Sequence, residues 1–421
     1  MKKRQDVLFF NQKKKVNKIS WKVFAGMKPL SEISQHFQGQ PMFKVLDEVQ
    51  KLERAGRKLL HFELGEPDFS TPENISRAGC DAIVNGMTHY TSSHGLFEFR
   101  QTAREATAYS RHFTPDIEQI LVTPGANSII YYCVKCIVDP GDDVLVPNPG
   151  FSSYFSAISA CGANAVSVKL RPEKNLVMLP EDVEAAITPR TKLLIINTPG
   201  NPTGTVIPEK ILREIYAVAE KHDIYVLSDE IYARLIFTRD RFFSPSMLDH
   251  CRERVIVANG FSKAFAMTGW RLGVAIGPEH VIEKMALLNE TIVSCVPTFI
   301  QCAGIEAIKG DQKQIRAMCA EYQRRAFLLA DELDKLPGIS CRRPDGAIYV
   351  FPDIRGTGMS SEEFTSFALQ EAGVAVLPGT SFGKYGAGFV RFSCVNNVES
   401  ILQAVSNIKA ALKKRSNNES C

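Results

Sequence analysis

The sequence predicts an α/β protein: a large domain on a mostly parallel seven-stranded sheet between helices, with a smaller α+β domain beside it. From about Leu60 onward, short β-branched runs alternate with longer amphipathic stretches, which implies parallel strands covered on both faces by helices. After about Cys295 strands become fewer and a long helical stretch takes over. A chain of 421 residues is also too long for one simple core and suits two domains of unequal size.

In chain order, Met1–Lys28 holds nine Lys/Arg against one acid, Asp6, so this stretch carries +8 and leaves the remainder of the +4 chain at −4. A charged, apolar-poor stretch of this kind is expected to remain a disordered, solvated extension. Ser31–Arg57 reads as an opening helix. The strand candidates that follow are Ile120–Thr123, Asp143–Pro147, Ala165–Leu170, Leu193–Asn197, Ile224–Ser228, Val255–Asn259 and Val274–Gly277. Helical patterns fill most of the intervals, among them Ser128–Val138, Pro208–His222 with proline in its first turn, and Glu279–Leu288. Further on come a helix over Gln314–Leu336, a strand over Ala347–Phe351, and a helix near Ser361–Glu371. Strands over Val374–Leu377 and Phe389–Ser393 and a last helix over about Val398–Lys413 complete the pattern. The expected division is a small domain of residues 29–60 and 296–415 and a large ligand-binding domain of residues 61–295.

Composition narrows the function classes. Apolar runs never approach a membrane span, and Leu8-Phe9-Phe10 is far too short for the apolar part of a secretory signal. Eleven scattered cysteines, odd in number and mostly among apolar residues, point to a reducing, cytoplasmic setting. The one close pair, Cys133 and Cys136, lies in a run that reads as a buried helix, and no second pair exists to complete a metal site. Neither membrane nor nucleic-acid partners are expected.

The residues that carry chemistry sit where strands end. Ser262-Lys263-Ala264-Phe265-Ala266-Met267-Thr268-Gly269-Trp270-Arg271 follows the strand Val255–Asn259 directly. A lysine placed there can hold an aldehyde cofactor such as pyridoxal 5'-phosphate as a Schiff base and then shuttle the substrate's α-proton. Arg271 offers a planar donor fork for a phosphate, with Ser262 as a further donor. The strand Ile224–Ser228 ends in Asp229, a carboxylate able to pair with a protonated pyridine nitrogen. Asn201, after the strand Leu193–Asn197, could donate to the phenolic oxygen of the ring, as could Tyr232. Taken singly, Asn201 is also a turn former and Asp229 a helix cap. At Thr123-Pro124-Gly125-Ala126-Asn127 a strand turns through glycine into a helix, leaving free N–H groups and a helix dipole to face an anion. Phe151 could stack on the ring or pack in the core.

Together these motifs resemble class I/II aminotransferases of PLP fold type I, in particular the branch of bacterial aspartate and broad-range aminotransferases. The likeness runs from about Ile33 to Lys409 and rests on five segments: Gly65-Glu66-Pro67-Asp68-Phe69, Asn201-Pro202-Thr203-Gly204, Ser228-Asp229-Glu230-Ile231-Tyr232, Ser262–Arg271 and Phe389-Val390-Arg391-Phe392-Ser393. The resemblance implies that Lys263 forms the Schiff base, Asp229 pairs with the pyridine nitrogen, and Asn201 and Tyr232 serve the phenolic oxygen. Ser262, Arg271 and the amides of Gly125, Ala126 and Asn127 would hold the phosphate, with Phe151 on the ring. It further implies that Arg391 clamps the substrate α-carboxylate, that Gly65 belongs to a mobile segment closing over it, and that Tyr90 reaches the neighbouring subunit's cofactor phosphate. A homodimer with shared active sites follows. One departure stands out: where close aspartate-specific relatives carry a lysine for the distal carboxylate, this chain has Asn127. Ping-pong transfer of an amino group from an L-amino acid to a 2-oxo acid is the expected activity. A carbon–sulfur β-lyase or a cyclopropane-forming synthase on the same fold is the alternative, since fold alone does not fix the reaction. A PLP-sensing regulator would need a DNA-binding domain that the stretch before Ile33 is too short to form.

Overall fold

The structure, a computed structural model, describes residues 28–419 apart from positions 38, 40 and 239–241. All of the basic extension except Lys28 lies outside the described residues. Twelve strands are described: β1 (Leu60–His61), β2 (Ile120–Thr123), β3 (Asp143–Asn148), β4 (Asn164–Lys169), β5 (Thr191–Asn197), β6 (Tyr225–Asp229), β7 (Val255–Gly260), β8 (Gly273–Ile276), β9 (Tyr349–Val350), β10 (Val374–Ala375), β11 (Leu377–Pro378) and β12 (Val390–Ser393).

Seven of them form one sheet in the order β2-β8-β7-β6-β5-β3-β4. Six run parallel, and β8 alone is antiparallel to both of its neighbours. Its reversal has a local cause. The segment from Phe261 to Leu272 is a loop without a crossover helix, and a strand that returns without a crossover must lie antiparallel. Alternation along β5 explains the two-faced core: Leu193 and Ile195 join one apolar cluster, Leu194 and Ile196 the other. Each fully buried side chain of this kind contributes about 1.5–3 kcal/mol. The helix Ala126–Ile137 covers one face with Ile129, Ile130, Cys133 and Val134, so Cys133 is a packed thiol, as expected. The amphipathic helix Glu209–Lys221 covers the other with Leu212, Ile215 and Ala219.

The remaining strands form two small sheets, β11-β12-β9 antiparallel and β1-β10 parallel. Here the structure corrects several expected boundaries. The opening helix over Ser31–Arg57 is instead a 3-10 turn, Glu32–His36, and a helix, Pro41–Arg54. Pro41 lacks the N–H to continue a helix and disfavours helical geometry at the residue before it, so it serves as a first helical residue. The strand over Ala347–Phe351 shrinks to β9, because Ala347 takes a left-handed φ of 62° and Pro352 follows. Val374–Leu377 splits into β10 and β11, which belong to different sheets. Pro208 caps its helix rather than entering it, and the last helix runs on from Val398 to Glu419.

Candidate active site

The parallel strands bring their carboxyl ends to one edge of the sheet, and the polar residues found at those ends in the sequence gather there. Asn197 and Asp229 are direct cross-strand partners, Asp229 in turn faces Ala258, and Gly260 faces Gly273. Thr123 also faces Gly273, which carries the Gly125 turn to the loop containing Arg271.

Asp229 is 4 % exposed and accepts a hydrogen bond from the Tyr154 hydroxyl at 2.5 Å and another from the Ile231 N–H at 3.2 Å. Burial pushes its carboxyl up to about 6, against the pull of those two donors. Asn197 donates its side-chain amide to the Asp229 carbonyl and accepts from the Asn201 N–H at 2.8 Å, so one side chain fixes both turns.

Lys263 donates to the Gly65 carbonyl at 2.5 Å. Burial lowers its pKa, with Arg391 and Arg271 acting in the same sense and Tyr349 and Glu66 opposing. A lysine held closer to neutrality is the form that attacks a carbonyl. Ser262 beside it is buried.

Gly125 caps the helix Ala126–Ile137 with φ 88°, a conformation that favours glycine. A Cβ there would stand 2.5 Å from an Arg271 guanidinium nitrogen, so the missing side chain is what lets the arginine reach the helix N-terminus. Arg271 itself takes a left-handed φ of 55° and donates to the Thr268 carbonyl at 2.9 Å. Strain of that kind costs on the order of 1–3 kcal/mol and gathers at functional sites. Asn127 is exposed on the first turn of the helix. Between the 66–71 segment and the 266–270 loop runs an open groove of about 570 Å³.

Arg391 is fully buried on β12. Its guanidinium donates to Asn201 Oδ1 at 3.1 Å and to the Glu63 carbonyl at 2.5 Å, and lies between the rings of Tyr349 (4.3 Å) and Phe382 (4.8 Å). Both acceptors are neutral, and Nε has no partner among the described residues. A buried cation bonded only to neutral oxygens is a seat for an anion.

Phe151 caps the helix Ser152–Ala160 and meets Tyr154 edge to face at 5.6 Å, so the ring-stacking candidate and the Asp229 partner share one helix. Tyr90 is 87 % exposed. Two buried residues escaped the sequence reading. Tyr154 follows Phe151 by three positions and shares its helix face, a signal that was available. Tyr349 lies inside a strand candidate, and nothing local marks it, yet its hydroxyl meets that of Tyr232 at 2.9 Å and would stand 2.1 Å from a Cβ placed on Gly65.

These residues fit pyridoxal phosphate: a buried carboxylate for the ring nitrogen, a lysine with lowered pKa for the aldehyde, a Cβ-free helix N-terminus with Arg271 for the phosphate, and a buried cation hydrogen-bonded only to neutral oxygens for a carboxylate. Fold and site together suit an α/β enzyme that uses a phosphorylated, ring-nitrogen cofactor. Residues 57–408 match the family described as aminotransferase class I and II. The chain is 38 % identical to the aspartate aminotransferase of Pyrococcus horikoshii over 367 residues, 86 % of this chain and 93 % of the relative. It is 37 % identical to the aromatic-amino-acid aminotransferase 2 of Thermococcus litoralis over 377 residues, 88 % and 95 % of the two chains. Among solved structures, the Thermus thermophilus aspartate aminotransferase with maleate superposes with a TM-score of 0.87 at 35 % identity, covering 91 % of this chain and all of that one. The chain belongs to the class I and II aminotransferases, and it is a pyridoxal-phosphate-dependent transferase of amino groups. The relatives named for aspartate and aromatic amino acids are aminotransferases, and their names do not favour the lyase alternative. No helix among the described residues is long and apolar enough to cross a membrane.

Proposed function

We propose that this chain transfers the amino group of an L-amino acid to a 2-oxo acid with Lys263 holding the cofactor and moving the substrate's α-proton, and with Arg391 seating the substrate α-carboxylate. The observation that carries the reading is the buried Arg391 guanidinium, hydrogen-bonded to neutral oxygens alone and in contact with Asn201 and Tyr349. When bound, pyridoxal phosphate supplies an aldehyde carbon and a ring that draws electrons from the substrate Cα. The chain's own residues do the rest. Asp229 keeps a proton on the ring nitrogen, Asn201 and Tyr232 donate to the ring oxygen, and Phe151 covers one ring face. Ser262, Arg271 and the amides of Gly125, Ala126 and Asn127 hold the phosphate. Once released, the Lys263 amine takes the proton from the Cα and returns it to the cofactor carbon. Gly65 lies on the segment that closes over the bound carboxylate.

Two of the relatives are named for aspartate and aromatic amino acids. At the position where a lysine would neutralise a distal carboxylate this chain has Asn127, so a donor with an uncharged side chain suits it better than aspartate. We also propose the division into residues 29–60 with 296–415 and residues 61–295. The helix Thr298–Lys309, just past that boundary, packs on Glu73–Val84 and Phe97–Arg111 of the large domain. A homodimer is supported by exposed large apolar residues concentrated on two adjoining segments, Ile83, Val84, Met87, Tyr90 and Phe97 on one and Leu287, Ile292 and Val293 on the other. Asn289 and Thr298 tie the two together through the Ser93 and Met87 carbonyls. Free cysteines among the described residues, five of them (Cys133, Cys161, Cys251, Cys341 and Cys394) buried in the two main apolar clusters, fit a cytoplasmic setting.

The test is the absorption spectrum of the purified protein as single amino acids are added without an acceptor. Conversion of the cofactor band to the pyridoxamine form with one equivalent of oxo acid is expected, and Lys263→Ala should abolish turnover while cofactor still binds. Oxo acid accumulating catalytically with an unchanged band would mean elimination instead, and full activity in Lys263→Ala would remove the lysine from its role.

A further inference from the structure

The bond between Tyr349 and Tyr232 joins two parts of the site that lie 117 residues apart in sequence. Tyr232 follows β6 of the large sheet, beside Asp229. Tyr349 opens β9, which pairs with β12, the strand that carries Arg391. Both rings are buried and meet edge to face with centroids 5.8 Å apart. An O–H···O bond between two phenols has a direction: one hydroxyl donates, and the other keeps its own proton for a third group.

The surrounding charges set that direction. The Arg391 guanidinium stands 4.3 Å from the centre of the Tyr349 ring. Tyr232 shares the influence of Arg391 but also faces the Asp229 carboxylate, which makes its oxygen the better acceptor. Gly65 is part of the arrangement, because a Cβ there would stand 2.1 Å from the Tyr349 hydroxyl oxygen and displace it.

We infer that Tyr349 is a positioning residue for Tyr232: it donates its hydroxyl proton to the Tyr232 oxygen and thereby commits the Tyr232 proton to the ring oxygen of the cofactor. This rests on the placement of the cofactor at Lys263. A donor at the ring oxygen favours the form of the bound cofactor with the most negative charge there, which is the form that has lost the proton shared with the lysine nitrogen. Weakening the donor therefore raises the pH midpoint of the cofactor's absorbance change.

The experiment is an absorbance titration of the holoenzyme with Tyr349→Phe, Tyr232→Phe and the double variant, each checked for native circular dichroism. Phenylalanine keeps the ring beneath Arg391 and removes only the hydroxyl. Tyr349→Phe should raise the midpoint by about 0.5 to 1, the worth of one hydrogen bond. In the Tyr232→Phe background the same substitution should move it no further, because its effect passes through Tyr232. A midpoint that stays or falls in Tyr349→Phe overturns the inference, since Tyr232 would then donate to Tyr349 or the bond would be idle. A shift that persists in the Tyr232→Phe background overturns it too. If wild-type protein shows no cofactor band that Lys263→Ala removes, the placement of the cofactor fails first, and the inference with it.

Discussion

Asp229 shows how burial of a single carboxyl imposes a stability cost at neutral pH. With Tyr154 and the Ile231 amide as its donors and apolar strands around it, its carboxyl is raised by burial from 3.8 to about 6. The sign follows from linkage. A carboxyl that binds its proton more tightly when folded stabilises the fold at low pH, and that stability is lost as pH rises from the unfolded value toward about 6. At neutral pH the cofactor-free protein therefore carries a buried charge worth up to about 3 kcal/mol. Asp229→Asn keeps an acceptor for Tyr154 and removes the charge. Cofactor-free Asp229→Asn should melt above wild type at pH 7 to 8, with the gap closing toward pH 4. An equal gap at every pH would show that charge is not the cause. Asp229 was legible because its strand, its acid and its position at a sheet edge are all local in sequence. Tyr349 was not: its partners Tyr232, Arg391 and Gly65 come from three other segments, and only the folded chain makes them neighbours.

At the scale of elements, strand cores were readable and strand ends were not. β2 matches its expected bounds, whereas β3 to β8 differ by one or two residues, because the hydrophobic run defines the interior and tertiary pairing decides where it stops. The helix Pro41–Arg54 shows what local pattern leaves out. It is tied to the chain entering the site by His61, whose Nε2 meets Glu53 Oε1 at 3.0 Å and whose Nδ1 meets Glu63 Oε1 at 2.9 Å. Both nitrogens donate only in the imidazolium form. The hydrogen bond with Glu63 is the main cause, and that with Glu53 a further one, of a His61 pKa raised to about 9 against the effect of burial. A histidine so raised stabilises the fold fully below its unfolded pKa of 6.5, and that stability is lost as pH climbs through about 9. Since the His61 and Glu53 side chains are 39 and 40 % exposed, solvent screens that contact, and roughly 1 kcal/mol or less is expected from it. The stability difference between wild type and His61→Gln, measured by denaturant unfolding, should be largest near pH 6 and vanish by about pH 10. A difference that grows with pH would contradict the doubly bonded imidazolium.

For the whole molecule, a sequence-derived site residue that lies open to solvent, Tyr90, is the informative one. Lys263, Asp229, Asn201, Tyr232 and Arg391 gather within one chain, while Tyr90 points into solvent at 87 % exposure on a surface rich in large apolar side chains. A phenol with no work inside its own subunit, surrounded by apolar surface, is what a shared site requires of the subunit that lends it. Each complete site would then draw Lys263 from one chain and Tyr90 from the other. Tyr90→Ala alone should weaken cofactor binding about tenfold or more, the worth of a hydrogen bond to a charged phosphate. Hybrid dimers of one Lys263→Ala subunit and one Tyr90→Ala subunit should do better than either parent, because one of their two sites receives both native residues. Purifying such hybrids by two different affinity tags and assaying them at limiting cofactor should recover up to half of wild-type activity per dimer. Hybrids no more active than the parents, or a chain that sediments as an active monomer, would place Tyr90 outside the site and leave the apolar surface to another partner.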